Sequence, residues 1–446
     1  MTRTRLMGRA HAVAVSAMLA VAALAGLADA GEMTLADCVS TALASNRGIA
    51  EAREGLSQAR SGITEARSGF LPNLTLSGSY NFMEKSQSVS FPTADGGTQE
   101  MELDFTRDYG MEVALSQPLY TGGRLTSSYR ISKLARDIAD ADVARLEADV
   151  TLSVVQAFYS YLLARESVKV AEEATKTAEE FLRVVEARYR AGEASRFEVM
   201  RAEVEVSNLK PALISAKHSV SLAELALKNV MGLGLDEPAT FTGEFDGAPF
   251  QVDAAEAAST GLERRSELAM LRRQVEIANQ SLSLSKAGRL PTLAITTAYD
   301  MVGNDLSLDD DEWETSYNGY LVLSLPLFDG LRTKSQIARA KSEVRQAGIA
   351  LAGAEEGVKL EARSAVLELD AAAERLRSQE KSVEMAEEGL KIANDRYVQG
   401  VVTNLEVMDA QLALTQARNY RLQALHDTNL ATARLKRAMG VLLEDY

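Results

Sequence analysis

Cysteine, histidine and tryptophan are close to missing from this sequence: one Cys, three His and one Trp in 446 residues. The lone Cys38 excludes a disulfide framework and a thiolate zinc site. So few histidines argue against metal-centred or His-based catalysis. Aromatic residues are only 6%, so the apolar content is aliphatic and suits long helices packed closely together. Eight prolines leave room for very long uninterrupted segments. Positive charge is short as well: 48 Lys and Arg face 63 Asp and Glu, a net charge of −15. Duplex recognition needs a basic face, so nucleic acid is not an expected partner. Beyond the first thirty residues no run of eighteen apolar residues occurs. No helix there is apolar enough to cross a bilayer, so any membrane contact must use strands or a surface.

Residues 1–30 read as an export signal. Arg3, Arg5 and Arg9 form a positive start, Ala12 to Leu27 is a small-residue apolar stretch, and Ala28-Asp29-Ala30 is a cleavage signal before Gly31. Removing these residues leaves 45 basic and 62 acidic side chains, a charge near −17. Leu35-Ala36-Asp37-Cys38 has Asp where a lipidation signal wants a small residue, so Cys38 reads as an ordinary helix position.

The chain repeats itself. Pro118-Leu119-Tyr120-Thr121-Gly122-Gly123-Arg124 matches Pro326-Leu327-Phe328-Asp329-Gly330-Leu331-Arg332 at an offset of 208. The same offset aligns Arg188, Tyr189 and Gly192 with Arg396, Tyr397 and Gly400, and Met231-Gly232 with Met439-Gly440. Upstream the offset is 219, as for Leu71-Pro72 and Leu290-Pro291, so the first copy carries 11 extra residues between Pro72 and Pro118. A tandem duplication follows, with copies at 31–232 and 254–446 and a linker at 233–253.

Each copy predicts the same plan. A first helix spans roughly 33–68 or 254–287, and two alternating segments follow. A very long helix then runs over about 123–190 or 331–398. Leu146, Val150, Val154, Phe158 and Leu162 recur at helical spacing in the first. Nearly seventy residues at 1.5 Å each extend about 100 Å, a coiled-coil scale. A tight turn at Gly192 or Gly400 reverses the chain into a second helix, closing hairpins at 123–231 and 331–440. Ser195–Glu198 and Thr403–Glu406 are both capping boxes that restart the helix after the turn.

The alternating segments lie at about 73–83, 109–117, 292–301 and 317–326. Leu74, Leu76, Tyr80 and Phe82 alternate with Thr75, Ser77, Ser79 and Asn81, and the other three behave likewise. Segments of about ten residues with period two fit tilted transmembrane strands, although a soluble four-stranded sheet gives the same alternation. Tyr80, Phe82, Tyr109, Tyr299, Trp313 and Tyr317 gather at one set of strand ends, with Tyr120 and Phe328 at the other, as interfacial girdles would. Four strands cannot close a membrane barrel, and open edges are not viable in lipid, so several chains must share one. The connections 84–104 and 302–316 read as polar loops, the second with Asp309-Asp310-Asp311-Glu312, either a cation or lipopolysaccharide contact or a solvated loop.

In order and spacing these features resemble the TolC family of outer-membrane efflux and secretion proteins. The likeness rests on the duplicated strand–strand–hairpin plan, the Leu-Pro before each first strand, Gln-Pro-Leu-Tyr-Thr-Gly-Gly-Arg at 117–124 and Tyr-Val-Gln-Gly-Val-Val-Thr-Asn-Leu-Glu-Val-Met-Asp-Ala at 397–410. It implies a mainly α chain with transmembrane β. It also implies a homotrimer whose 12-stranded β-barrel in the outer membrane continues as a 12-helix α-barrel into the periplasm. It further implies docking to a periplasmic adaptor and an inner-membrane transporter, with no cofactor and no catalysis. The family closes its periplasmic end with acidic rings just after the second tip, which places a gate or selectivity role on Glu406 and Asp409. Asp409 has Arg201 as its repeat counterpart, so capping does not account for it. Adaptor contact is expected at the tips, at Gly192 and Gly400 with Tyr189 and Tyr397. Tyr397 fits the family's tip lock, whereas Val402 stands where that lock has Arg. Small-molecule efflux, type I protein secretion and, in another class, a periplasmic coiled-coil scaffold remain open at this stage.

Overall fold

Asn46 and Arg265 are the two positions at which helix gives way to extended backbone where the periodicity predicts one continuous helix. The computed structural model describes residues 32–82, 87–103, 107–247, 250–303 and 313–446. Among these the chain runs β1 (Glu32–Met33), α1 (Leu35–Ser45), α2 (Arg47–Ser68), β2 (Asn73–Phe82), β3 (Gln87–Pro92), β4 (Thr98–Leu103) and β5 (Arg107–Tyr120). Then come α3 (Arg124–Arg190), α4 (Arg196–Met231), β6 (Thr240–Phe241), α5 (Ala254–Arg264), α6 (Ser266–Ala287), β7 (Thr292–Gly303) and β8 (Trp313–Ser324). Helices α7 (Arg332–Val398), α8 (Asn404–Met439) and a short 3₁₀ turn complete it. The expected signal at 1–30 and the acidic run Asp309–Glu312 lie outside the described residues.

The duplication is exact in length where it is helical. Both long helices have 67 residues and both return helices 36. Each return helix ends on a left-handed glycine, Gly232 or Gly440, the ordinary C-terminal signal of a helix. The expected single first helix is corrected to a broken pair in each copy. At the first break Asn46 Oδ1 accepts the Gly48 N–H at 2.9 Å, while its Nδ2 donates to the Val230 carbonyl at 3.1 Å. At the second, Arg265 reaches the Ala438 carbonyl at 3.4 Å and Glu361 at 3.0 Å. Both breaks sit at the offset of 219 and both are made by side chains reaching a return-helix end far away in sequence.

The chain divides into two compact units. One holds residues 32–51, 144–265 and 357–446. Its first-copy core packs Val154, Phe158 and Leu162 of α3 against Cys38, Val39, Leu227, Met231 and Phe241. Three residues of the predicted stripe are thus buried, each large side chain contributing about 1.5–3 kcal/mol. The second-copy core reuses the same positions with smaller residues: Ala257 for Cys38, Ala362 for Val154 and Val366 for Phe158, beside Leu435 and Met439. The segment between the copies is tied to this unit. Thr240–Phe241 pairs in parallel with Glu32–Met33, Phe241 is buried, and Asn429 Nδ2 donates to the Asp246 carbonyl at 2.9 Å. Residues 233–247 are therefore anchored chain.

The other unit holds residues 52–143 and 266–356. It carries a four-stranded antiparallel sheet in the order β2-β5-β7-β8. The register pairs Leu74 with Leu115, Leu76 with Val113, Ile295 with Leu321 and Leu293 with Leu323. Leu74, Leu76, Val113, Leu115, Leu293, Ile295, Leu321 and Leu323 thus share one face, and Asn73, Ser77, Glu112, Ser116, Thr296 and Asp300 lie on the other together with Val302, Tyr320 and Val322. That apolar face is open: Leu74 and Leu323 are 67% and 69% exposed. Tyr80 pairs with Tyr109, and Tyr299 with Tyr317, which puts the expected aromatic cluster at one end of the sheet. The connection 84–104, expected as a polar loop, contains an antiparallel hairpin instead: β3 pairs with β4 around a turn at Gly96. This hairpin lies within the stretch where the first copy is longer.

Candidate functional site

The two hairpin turns are built alike. Gly192 and Gly400 have φ of +79° and +75°, and their N–H groups bond the Tyr189 and Tyr397 carbonyls, each at 3.0 Å. A side chain costs energy at such φ, so glycine is the residue that lets the long helix stop and reverse. Helix α4 restarts with a reciprocal box: Ser195 Oγ accepts the Glu198 N–H at 3.3 Å and the Glu198 carboxylate accepts the Ser195 N–H at 2.8 Å. At the second turn the Glu406 carboxylate accepts the Thr403 N–H at 3.3 Å.

Behind the turns all four hairpin helices share a core. Phe181 and Val185 of α3, Val199 and Ala202 of α4, Leu390 and Tyr397 of α7, and Val407 and Leu414 of α8 pack together. Asn404, buried at the start of α8, donates to the Glu198 carbonyl at 3.3 Å and ties the return helices to one another. Farther along, Arg418 joins Glu173 at 3.0 Å and Glu387 at 2.9 Å, so one guanidinium holds three helices.

The repeat-related tyrosines part company here. Tyr189 is exposed, whereas Tyr397 is 3% exposed, with its ring 5.1 Å from Phe181. The Arg188 guanidinium lies 4.8 Å from the Tyr397 ring centroid and donates to the Tyr397 carbonyl. Burial, aided by the Glu198 charge, pushes the Tyr397 phenol above its ordinary pKa. Tyr397 is therefore a coil-to-coil link held inside the hairpin pair, whereas Tyr189 is open to solvent. Arg188 did not stand out in the sequence beyond being a repeat marker. The available signal was that Arg-Tyr recurs at 188–189 and 396–397.

Glu406 and Asp409 are both exposed on α8, next to the buried Asn404 and Val407. Three residues apart, they share one side of the helix. Neither forms an ion pair among the described residues. The structure thus brings these carboxylates together, unneutralised, immediately after the tip turn. Among the histidines, His218 is exposed and His426 Nδ1 lies 3.1 Å from Asp427 Oδ1. No group of three or more metal-ligating side chains occurs among the described residues. Among them, too, no helix is long and apolar enough to cross a membrane.

Comparison with known proteins bears on both units. The family model described as outer membrane efflux protein matches residues 38–233 and 257–441. Outer membrane protein TolC of Vibrio cholerae is 23% identical over 381 residues, covering 84% of this chain and 83% of its own. Outer membrane efflux protein BepC of Brucella suis is 24% identical over 435 residues, covering 97% of this chain and 91% of its own. The crystal structure of CusC, from work on folding and transmembrane channel formation, superposes with a TM-score of 0.79 at 17% identity, over 91% of this chain and 92% of that one.

Proposed function

The chain belongs to the outer membrane efflux protein family, and from that premise we propose that it is the passive exit duct of a tripartite efflux assembly. It receives small molecules from an inner-membrane transporter and a periplasmic adaptor and releases them outside. The observation that carries this reading is the sheet. All four strands contribute apolar side chains to one exposed face, and the outer strands β2 and β8 have free edges in the single chain. Strands of ten to fourteen residues are long enough to cross the hydrocarbon layer at a tilt. Open edges are not viable in lipid, so β2 of one chain pairs with β8 of the next. Three chains close a twelve-stranded barrel, wide enough to leave a passage, and bring twelve helices into the wall that continues it.

In this homotrimer Glu406 and Asp409 form the periplasmic gate. Three copies bring six carboxylates toward the axis, where they attract cations and resist anions. Arg188 and Tyr397 tether the two hairpins of each chain behind that ring. The turns at Gly192 and Gly400, with the exposed Tyr189, are the adaptor-docking end.

Cell fractionation and planar bilayers test this reading. The protein is expected in the outer membrane, released only by detergent, as a trimer that conducts ions. Recovery from the aqueous periplasmic fraction, as a scaffold would show, overturns it. Crosslinking through a cysteine placed at Tyr189, followed by identification of the captured adaptor, separates small-molecule efflux from protein secretion.

A further inference from the structure

We propose that the junction between the strands and the long helices holds an oxyanion-binding site on the duct-lining face, used by cargo bearing phosphate, sulfate or carboxylate groups. The proposal rests on the duct reading above. A cleft of about 630 Å³ there is lined by Arg124, Arg332 and Arg339, and by Thr292 and Ser324 from the strands. Thr292 and Ser324 are register partners, and the next pair along is Leu293 with Leu323. Because side chains alternate, Thr292 and Ser324 share the polar face with Asp300 while the leucines point to the opposite, apolar one. The cleft therefore opens away from lipid and toward the passage.

Its charge is unusual for this chain. No carboxylate lines it, although the chain carries a net charge of −15. Arg124 has no ion pair among the described residues. Arg339 Nε lies 3.3 Å from Glu343, one turn farther along the same helix. The charge of Arg332 acts on Asp329, whose carboxylate also accepts the Thr333 N–H at 2.9 Å and the Thr333 hydroxyl. Three guanidinium groups thus outnumber two neighbouring carboxylates.

Placement adds a second argument. Arg124 and Arg332 are repeat counterparts and the first residues of α3 and α7, and neither helix has an acidic residue in its first turn. A helix N-terminus is already positive, so a cation there is unfavourable unless an anion is near. Asp329 supplies one at α7, whereas its repeat counterpart at α3 is the neutral Thr121, so the unbalanced N-terminus is that of Arg124. Guanidinium forks match tetrahedral and planar oxyanions in two-point hydrogen bonds, which selects this ligand class over simple halides.

Inorganic pyrophosphate is the probe. Titrated calorimetrically at low salt into the detergent-solubilised oligomer, it is expected to bind saturably and to reduce the single-channel current in planar bilayers. The Arg124→Gln/Arg332→Gln/Arg339→Gln variant is expected to weaken binding by about tenfold or more and to shift permeability toward cations. The corresponding triple Lys variant keeps the charge and is expected to retain most of the binding, which separates charge from folding. Equal pyrophosphate affinity in wild type and the Gln variant overturns the proposal. So does anionic phospholipid co-purifying with wild type alone, with no effect of pyrophosphate on current, because the cleft then serves a lipid headgroup. A wild-type oligomer that carries no current overturns the duct reading instead, and the titration still reports whether the arginines hold the anion.

Discussion

Arg188, near the end of one hairpin's long helix, holds Tyr397 of the other by two contacts at once: its guanidinium stands 4.8 Å from the ring centroid and donates to the same residue's carbonyl. The pair lies directly behind both turns, with Tyr397 in the core shared by all four hairpin helices and Arg188 half-buried beside it. A cation–π contact of this kind contributes about 0.5–2 kcal/mol and a charged hydrogen bond about 1.5–3 kcal/mol. Arg188→Ala is therefore expected to loosen the hairpin pair locally by about 2 kcal/mol or more. Faster amide exchange confined to the tips and a higher, noisier conductance are the expected signs. Protection at the tips equal to wild type would sink the tether.

The gate role proposed for Glu406 and Asp409 is tested by Glu406→Ala with Asp409→Ala. Removing both carboxylates is expected to raise conductance, reduce block by divalent cations and increase antibiotic leakage. The proposed mechanism is loss of charge at a carboxylate ring, so Glu406→Gln/Asp409→Asn should behave similarly. Unchanged cation block and conductance would rule the assignment out.

Arg437 is a nearly buried cation whose Nη2 lies 2.7 Å from Asp149, 288 residues earlier. Asp149 also receives Arg145 at 2.9 Å. Deleting one partner of such a pair leaves an uncompensated charge. Because Asp149 is partly exposed, the loss is discounted to about 2 kcal/mol. Asp149→Ala should lower the urea midpoint accordingly, whereas Asp149→Ala with Arg437→Met should recover part of it. No recovery would mean that the pair matters through shape alone.

Cys38 is fully buried in the first-copy core, and burial pushes its thiol from 9.0 up to about 12. The native thiol should therefore resist alkylation at pH 8–9 and react once the chain is unfolded. The folded state binds the proton more tightly. Its contribution to stability is complete below pH 9 and is lost as pH rises through 12. Rapid labelling of the native protein would contradict this placement.

Gly232 and Gly192 both have positive φ, but their surroundings differ. A Cβ on Gly232 would stand 2.8 Å from the Ser45 carbonyl oxygen, whereas at Gly192 nothing lies within 4 Å. Gly192→Ala should cost about 1–2 kcal/mol from backbone strain alone. Gly232→Ala must also displace the end of α1, and should cost distinctly more by denaturant titration. Equal losses would mean that the helix end yields freely.

The sequence by itself determined the duplication, the length of the hairpin helices, the turns at Gly192 and Gly400, and four strands with one apolar face. These follow from local rules: helical and strand periodicity, caps, and the freedom of glycine. Only the tertiary structure decided where the first helices break, because Asn46 and Arg265 are drawn to carbonyls at Val230 and Ala438. It also anchored residues 233–247, paired β3 with β4, and told Tyr189 from its twin Tyr397. The exposed position of Glu406 and Asp409 just after the second turn was legible from the turn itself, while the gate role proposed for them comes from the family resemblance. Arg188 and the cleft of Arg124, Arg332 and Arg339 were not, because their partners lie on other elements. What separates the two sets is range. A pattern within a few residues survives in one dimension, whereas a hydrogen bond or charge contact between distant elements exists only once the chain has folded.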